Sequence, residues 1–215
     1  MRDTNSALVW QSFGSPTDTI LPGQALATDQ RLYSNSKGTI DYSTGDFMLE
    51  MQSDGKLVLS AYLFADPGYW LTETQGENRS LVFNDSGFMY IVNSSNVNIY
   101  SLTENIATPI EDYYHRATIN HHGTFKQFVH HKKEGNWTRV WRPYNDPCIA
   151  YSVCGIYGMC TSPDNETVTC NCIPGYTHLD FENVSKGCHP ETAMNYCAEN
   201  SMGNFRVDVV EDADF

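Results

Sequence analysis

The chain has 215 residues, with 13 basic against 26 acidic side chains and a formal net charge of −13. That balance excludes a polyphosphate partner, because binding DNA or RNA needs a basic face to displace counterions, so no nucleic acid is expected. Charged residues reach only 18% and aromatic ones 13%, the composition of a β-rich globular protein long enough to bury a sizeable core in one or two domains.

The first ten residues, MRDTNSALVW, contain no apolar signal-like core, and no run of about 18 apolar residues occurs anywhere. From residue 47 a pattern recurs three times: an apolar-rich strand, a turn ending in Gly, then an alternating strand. The segments are FMLEMQSDGKLVLSA (47–61), RSLVFNDSGFMYIVN (79–93) and HRATINHHGTFKQFV (115–129), with turn glycines Gly55, Gly87 and Gly123. Asp54-Gly55 is a strong hairpin dipeptide, since a tight turn needs a positive φ that Gly adopts without strain. Phe47, Leu49 and Met51, then Leu57 and Leu59, alternate with more polar residues, so one face of this hairpin is buried. Trp70 and Trp141 close the first and third units, and Trp10 stands where an earlier unit would close. The pattern predicts three hairpin units around one core over residues 29–142, a β-prism, with a β-sandwich as the alternative.

All seven cysteines stand at or beyond position 148. Asn-x-Ser/Thr sequons occur at Asn78, Asn84, Asn93, Asn136, Asn165 and Asn183, where chance would supply about two or three. Six sequons point to a secreted or cell-surface chain, and hence to disulfides rather than metal ligation. The odd cysteine count and the ending VVEDADF lead us to expect a fragment of a longer protein.

The first hairpin spells Gln52, Asp54 and Val58 at alternate positions, with Lys56 and Ser60 between and beyond them. This resembles the Gln-x-Asp-x-Asn-x-Val-x-Tyr motif of bulb-type, mannose-binding lectins. Alternate residues share a face there, so an amide and a carboxylate bind adjacent sugar hydroxyls while Val packs on ring carbons. Lys56 stands where Asn belongs and Ser60 where Tyr belongs. An ammonium donates without accepting, so it cannot copy an amide. Aligned on their glycines, the other units offer Asn84, Ser86, Phe88, Tyr90 and Val92, then Asn120, His122, Thr124, Lys126 and Phe128, and the motif is gone.

The stretches VWQSFGSPTDTILPGQ (9–24) and YYHRATINHHGTFKQF through WRPYNDPCIAYSVCGIYGMC are more specific. They resemble the plant G-type lectin S-receptor-like serine/threonine kinases and their S-locus-glycoprotein segment. The resemblance implies an all-β chain: a bulb-lectin-like β-prism, a small disulfide-rich EGF-like module and the start of a PAN/apple domain. Residues 1–28 would be the remnant of a first bulb-type lectin domain, 29–142 the second, 143–190 the EGF-like module and 191–215 the truncated PAN/apple start. It also implies the extracellular face of the plasma membrane, reached through a downstream segment outside this chain. The implied partners are a carbohydrate or peptide ligand and a second receptor in a homo- or heterodimer. A secreted mannose-binding lectin and a hydrolase with an unrecognised site are the alternatives.

From 148 onward the spacing is C-x5-C-x5-C-x9-C-x-C-x15-C. Six cysteines allow 15 connectivities, which spacing alone does not resolve. CNCIPGY resembles the second half of an EGF-like domain, and that resemblance implies Cys148–Cys160, Cys154–Cys170 and Cys172–Cys188, with Cys197 left unpaired in this fragment. Zinc knuckles of C-x2–4-C spacing are absent, and Asn145-Asp146 lacks the Glu of calcium-binding EGF modules, so no metal and no cofactor are expected. No kinase, P-loop, zincin or nucleophile-elbow motif occurs, so the chain is not expected to be an enzyme. His121-His122 and His130-His131 come in pairs, and on regular strands neighbours face opposite ways, so neither pair should share an ion.

Overall fold

The computed structural model describes residues 11–38, 40–62, 68–106 and 108–191, with single positions 4, 9 and 209. Trp10, Cys197 and nearly all of the predicted PAN/apple segment lie outside the described residues. The chain divides into two compact units, 1–145 and 146–215. Among the described residues regular structure is strand, and the helical segments are short 3-10 turns.

In the first unit twelve strands form three four-stranded antiparallel sheets. The first sheet joins β3 (Arg31–Lys37), β4 (Asp41–Met51), β5 (Leu57–Ala61) and β6 (Trp70–Leu71) in that order. The second runs β2 (Gln24–Ala27), β7 (Ser80–Phe83), β8 (Met89–Val92) and β9 (Asn98–Ser101). The third runs β1 (Thr19–Ile20), β10 (Tyr113–Ile119), β11 (Phe125–His131) and β12 (Trp137–Trp141). The three predicted hairpins are thus β4–β5, β7–β8 and β10–β11, one per sheet. Three sheets of equal strand number are a prism and not a two-layer sandwich.

Period-2 patterning places one face of each hairpin inside. Leu49, Met51, Leu57 and Leu59 from the first sheet, Leu81, Phe83, Met89 and Ile91 from the second, and Ala117, Ile119 and Phe125 from the third are all essentially inaccessible. Each of these side chains larger than Ala117 contributes on the order of 1.5–3 kcal/mol when removed from water. Trp141 packs edge-on against both Phe125 and Trp70, tying the third sheet to the first. Gln127, fully buried, donates from Nε2 to the Gly87 carbonyl at 2.7 Å and accepts from the Thr103 hydroxyl at 2.5 Å. That pairing meets the hydrogen-bond need of an amide taken out of water.

The turn glycines interlock the sheets in a cycle. Gly55 has φ +90°, and a Cβ there would lie 2.2 Å from the Gly76 carbonyl oxygen in the segment leading into β7. A Cβ at Gly87 would meet His115 of β10 at 2.7 Å, and one at Gly123 would meet Phe47 of β4 at 2.7 Å. Each hairpin tip therefore packs against the next sheet round the axis, which a side chain would prevent.

Residues 19–27, which the resemblance placed in the remnant of a preceding domain, supply edge strands to this same prism. β1 pairs with β10 through Thr19↔Thr118 and Ile20↔Ala117, and β2 pairs with β7 from Gln24↔Phe83 to Ala27↔Ser80. Ile20 and Leu26 are each 1% exposed, so the segment contributes to the core as well as to the ladders.

The second unit is small and built on two hairpins, β13 (Gly158–Thr161) with β14 (Thr169–Cys172) and β15 (Tyr176–His178) with β16 (Cys188–Pro190). Asp146 caps its opening 3-10 turn, accepting from the Cys148 amide at 2.9 Å. Disulfides join Cys148 to Cys160, Cys154 to Cys170 and Cys172 to Cys188.

Candidate functional site

The turn that carries the sugar-like motif has one backbone plan in all three hairpins. The Gln52 amide donates to the Lys56 carbonyl and the Gly55 amide to the Gln52 carbonyl, at 2.8 and 3.0 Å. Asn84 with Phe88 and Gly87, and Asn120 with Thr124 and Gly123, repeat both bonds. The side chains then diverge. Asn84 Oδ1 accepts from the Ser86 and Phe88 amides at 3.1 and 2.9 Å, and Asn120 Oδ1 from the His122 and Thr124 amides at 3.2 and 2.8 Å. Their carboxamides have become turn-makers, since Asn is short enough to reach back to its own loop. Gln52 is one methylene longer, and in its hairpin Asp54 Oδ1 holds the Lys56 amide at 3.1 Å instead.

The motif does not form an open sugar face. Gln52 is half-buried and Asp54 exposed, but Val58 retains 1% of its surface. The chain itself covers Val58: a Cβ at Gly68 would fall 2.4 Å from its Cγ1. Ser60 is buried too, and its hydroxyl has no hydrogen-bond partner. Lys56 Nζ lies 3.0 Å from Asp54 Oδ2, and this ammonium is the main reason the carboxyl is held below the usual carboxylate range. A hydroxyl approaching Asp54 would compete with that ion pair, and the isopropyl group meant for ring carbons is already packed. Sequence spacing places Gln52, Asp54 and Val58 on one face, but it carries no signal of the segment at 68 that lies over the last of them.

His121 and His122 correct a second expectation. They occupy the β10–β11 turn rather than a strand, so their rings lie side by side with centroids 3.9 Å apart. Burial, then His121 and then Lys126, push the His122 imidazole down to about 4. Below pH 6.5 the unfolded chain binds a proton that the folded chain refuses until about pH 4, so stability present above 6.5 is lost on acidification. Between pH 7 and 4 this group is expected to cost the first unit about 2 kcal/mol, discounted for its partial exposure. Urea midpoints at the two pH values measure it; an unchanged pH dependence in His122→Asn would refute the assignment. His130 and His131, on a regular strand, do face opposite ways, His130 beside Trp137 and His131 beside Tyr113.

In the second unit Cys172, His178 and Cys188 bring three metal-type ligand atoms within 4.8 Å of one another. The two sulfurs are bonded to each other, so the imidazole is the remaining ligand of the three. Of the sequons, Asn78, Asn136 and Asn165 are exposed, while Asn84, Asn93 and Asn183 are half-buried.

Three four-stranded sheets followed by a disulfide-stapled module define the class: an all-β prism joined to a small module closed by three disulfides. Residues 74–179 match the S-locus glycoprotein domain. The chain is 36% identical, over 90% of its length, to the G-type lectin S-receptor-like serine/threonine-protein kinase LECRK2 of Oryza sativa, and 31% identical, over 91%, to the receptor-like serine/threonine-protein kinase SD1-8 of Arabidopsis thaliana. Nearly its whole length is thus similar to one part of the G-type lectin S-receptor-like serine/threonine-protein kinases, as residues 9–24 and 113–160 led us to expect. It spans 26% and 24% of the lengths of those two relatives. Among solved structures it is similar to a lectin from Colocasia esculenta (25% identity, TM-score 0.40, 52% of this chain and 86% of that one). It is also similar to the mannose-specific agglutinin from snowdrop bulbs (20% identity, TM-score 0.41, 56% of this chain and 94% of that one).

Proposed function

We propose that this chain is the extracellular recognition portion of a receptor-like kinase. It perceives a carbohydrate or peptide ligand, or associates with a second receptor, and a kinase domain outside the chain transmits the signal. The observation that carries this reading is the match of 90% of the chain to about a quarter of a receptor kinase. The three disulfides and six sequons fit the outer face of the plasma membrane. Sequencing the full transcript tests it: an upstream signal peptide and a downstream span with kinase motifs are expected, and a stop codon directly after Phe215 would overturn it.

The secreted-lectin alternative requires Gln52 and Asp54 to hold mannose. With Val58 covered and Asp54 paired to Lys56, titration calorimetry of the chain with methyl mannoside is expected to show no saturable binding below about 1 mM, a ceiling of about −4 kcal/mol. Tighter binding that Gln52→Ala abolishes would restore the lectin reading.

A further inference from the structure

The charge of this protein is segregated. Residues 113–142 hold six of the 13 basic residues and one of the 26 acidic ones, together with five of the seven histidines. This span is β10, β11 and β12, and the pleat sorts its side chains. His115, Ala117, Ile119, Phe125, Gln127 and Val129 point inward and are buried. The opposite face is laid out in two cross-strand rows fixed by the register: Tyr114, His130 and Trp137 in one, Arg116, Phe128 and Arg139 in the other.

The rows are in contact. The Arg116 guanidinium sits over Trp137 at 4.3 Å and over Phe128 at 5.4 Å from the ring centroids. It is thus held by rings, and its Nε has no hydrogen-bond partner. His130 lies 5.3 Å from Trp137. Tyr114 and Trp137 remain 58% and 40% exposed, large values for aromatic rings on a sheet with a filled core behind it. The result is a pre-formed platform of rigid rings with a guanidinium fixed among them, on a protein that is elsewhere strongly acidic.

Each half of that platform selects a chemistry. Exposed rings stack on the C–H faces of pyranoses at little entropic cost, and a ring-held guanidinium is pre-organised for the two oxygens of a carboxylate. A neutral sugar would use only the rings, and an acidic peptide only the cations. The negative field of the remaining surface repels an anion everywhere else and steers it here. We propose that the outer face of the third sheet binds a carboxylated oligosaccharide, a chain of uronic acids, with its rings on Trp137 and Tyr114 and a carboxylate on Arg116. The proposal deepens the recognition reading by naming a ligand class and a site, and it assigns that site to a different sheet from the degenerate motif.

Titration calorimetry of the glycosylated 215-residue chain tests it with three probes of matched length: a galacturonic acid hexamer, its methyl ester and a hexaglutamate peptide. The acid hexamer is expected to bind, with the ester and the peptide each at least about tenfold weaker. Trp137→Ala, Arg116→Ala and Tyr114→Ala should each weaken the hexamer about tenfold. Lys186→Ala, a cation of the second unit, should leave it unchanged. Equal affinity for hexaglutamate would assign the face to an acidic peptide and overturn the proposal. So would absence of binding, or hexamer affinity unmoved in a folded Tyr114→Ala protein. Binding gained only in Asn136→Gln would give the face to the chain's own glycan beside Trp137, again against the proposal. The outcome is read on the chain alone, so its failure is distinct from a transcript that lacks a kinase.

Discussion

Gly55→Ala is expected to lower the stability of the first unit by about 3 kcal/mol, and its thermal midpoint by roughly 6–12 °C. Two costs combine. A left-handed backbone costs a non-glycine residue about 1 kcal/mol, and overpacking typically adds about 1–3 kcal/mol. The second cost is hard to relieve here, because the obstructing atom is the Gly76 carbonyl oxygen, 2.2 Å from the new methyl, and its own amide is bonded to the Asp54 carbonyl at 2.9 Å. Moving Gly76 would break the contact through which the first hairpin tip meets the second sheet. Gly135→Ala is the control, since no atom lies within 4 Å of a Cβ there and its φ is not in the left-handed region. Equal midpoints for the two variants would refute the interlocked tips.

Reduction should separate the two units. All seven cysteines lie at or beyond position 148, so a thiol reductant touches no bond in residues 1–145. The second unit buries few large apolar side chains, and its loops of 12, 16 and 16 residues are each closed by a disulfide contributing about 3 kcal/mol. Losing all three removes more than a unit of this size can hold in reserve. Amide spectra recorded with dithiothreitol are expected to lose the dispersion of residues 146–191 while the prism signals and their melting midpoint persist. Loss of both sets together would show that the prism depends on the module.

What the sequence made legible was local. Asp54-Gly55 and its counterparts announce their hairpins because the turn chemistry and the alternation sit within fifteen residues of one another. Trp70 and Trp141 do meet, and Trp141 reaches the buried Phe125, but both are half-buried and cap the core rather than fill it. The edge strands at 19–27 were not legible as part of this prism: their partners lie about 55 to 100 residues downstream, and two- and four-residue strands carry no periodicity. Val58 was legible as a motif residue but not as a buried one, because its cover comes from Gly68, whose approach depends on having no side chain. His121 and His122 were misplaced for a simpler reason. Both lie past Ile119, where β10 ends, in a turn whose neighbouring side chains do not alternate. The basic face of the third sheet was countable from the sequence, but the register was needed to show that Tyr114, His130 and Trp137 share one side.

The early strands also set a schedule for folding. β1 and β2 leave the ribosome first, yet Thr19 must wait for Thr118, whose hydroxyl lies 2.8 Å from its own. At synthesis rates of about 5–20 residues per second that is a delay of roughly 5–20 s. During it Ile20 and Leu26 have no completed core to enter, and β1 and β2 are themselves strands without their partners until β10 and β7 emerge. The prism therefore cannot close until its earliest strands meet partners made much later, and the interval before that is when such a nascent chain is most open to pairing with the wrong strand.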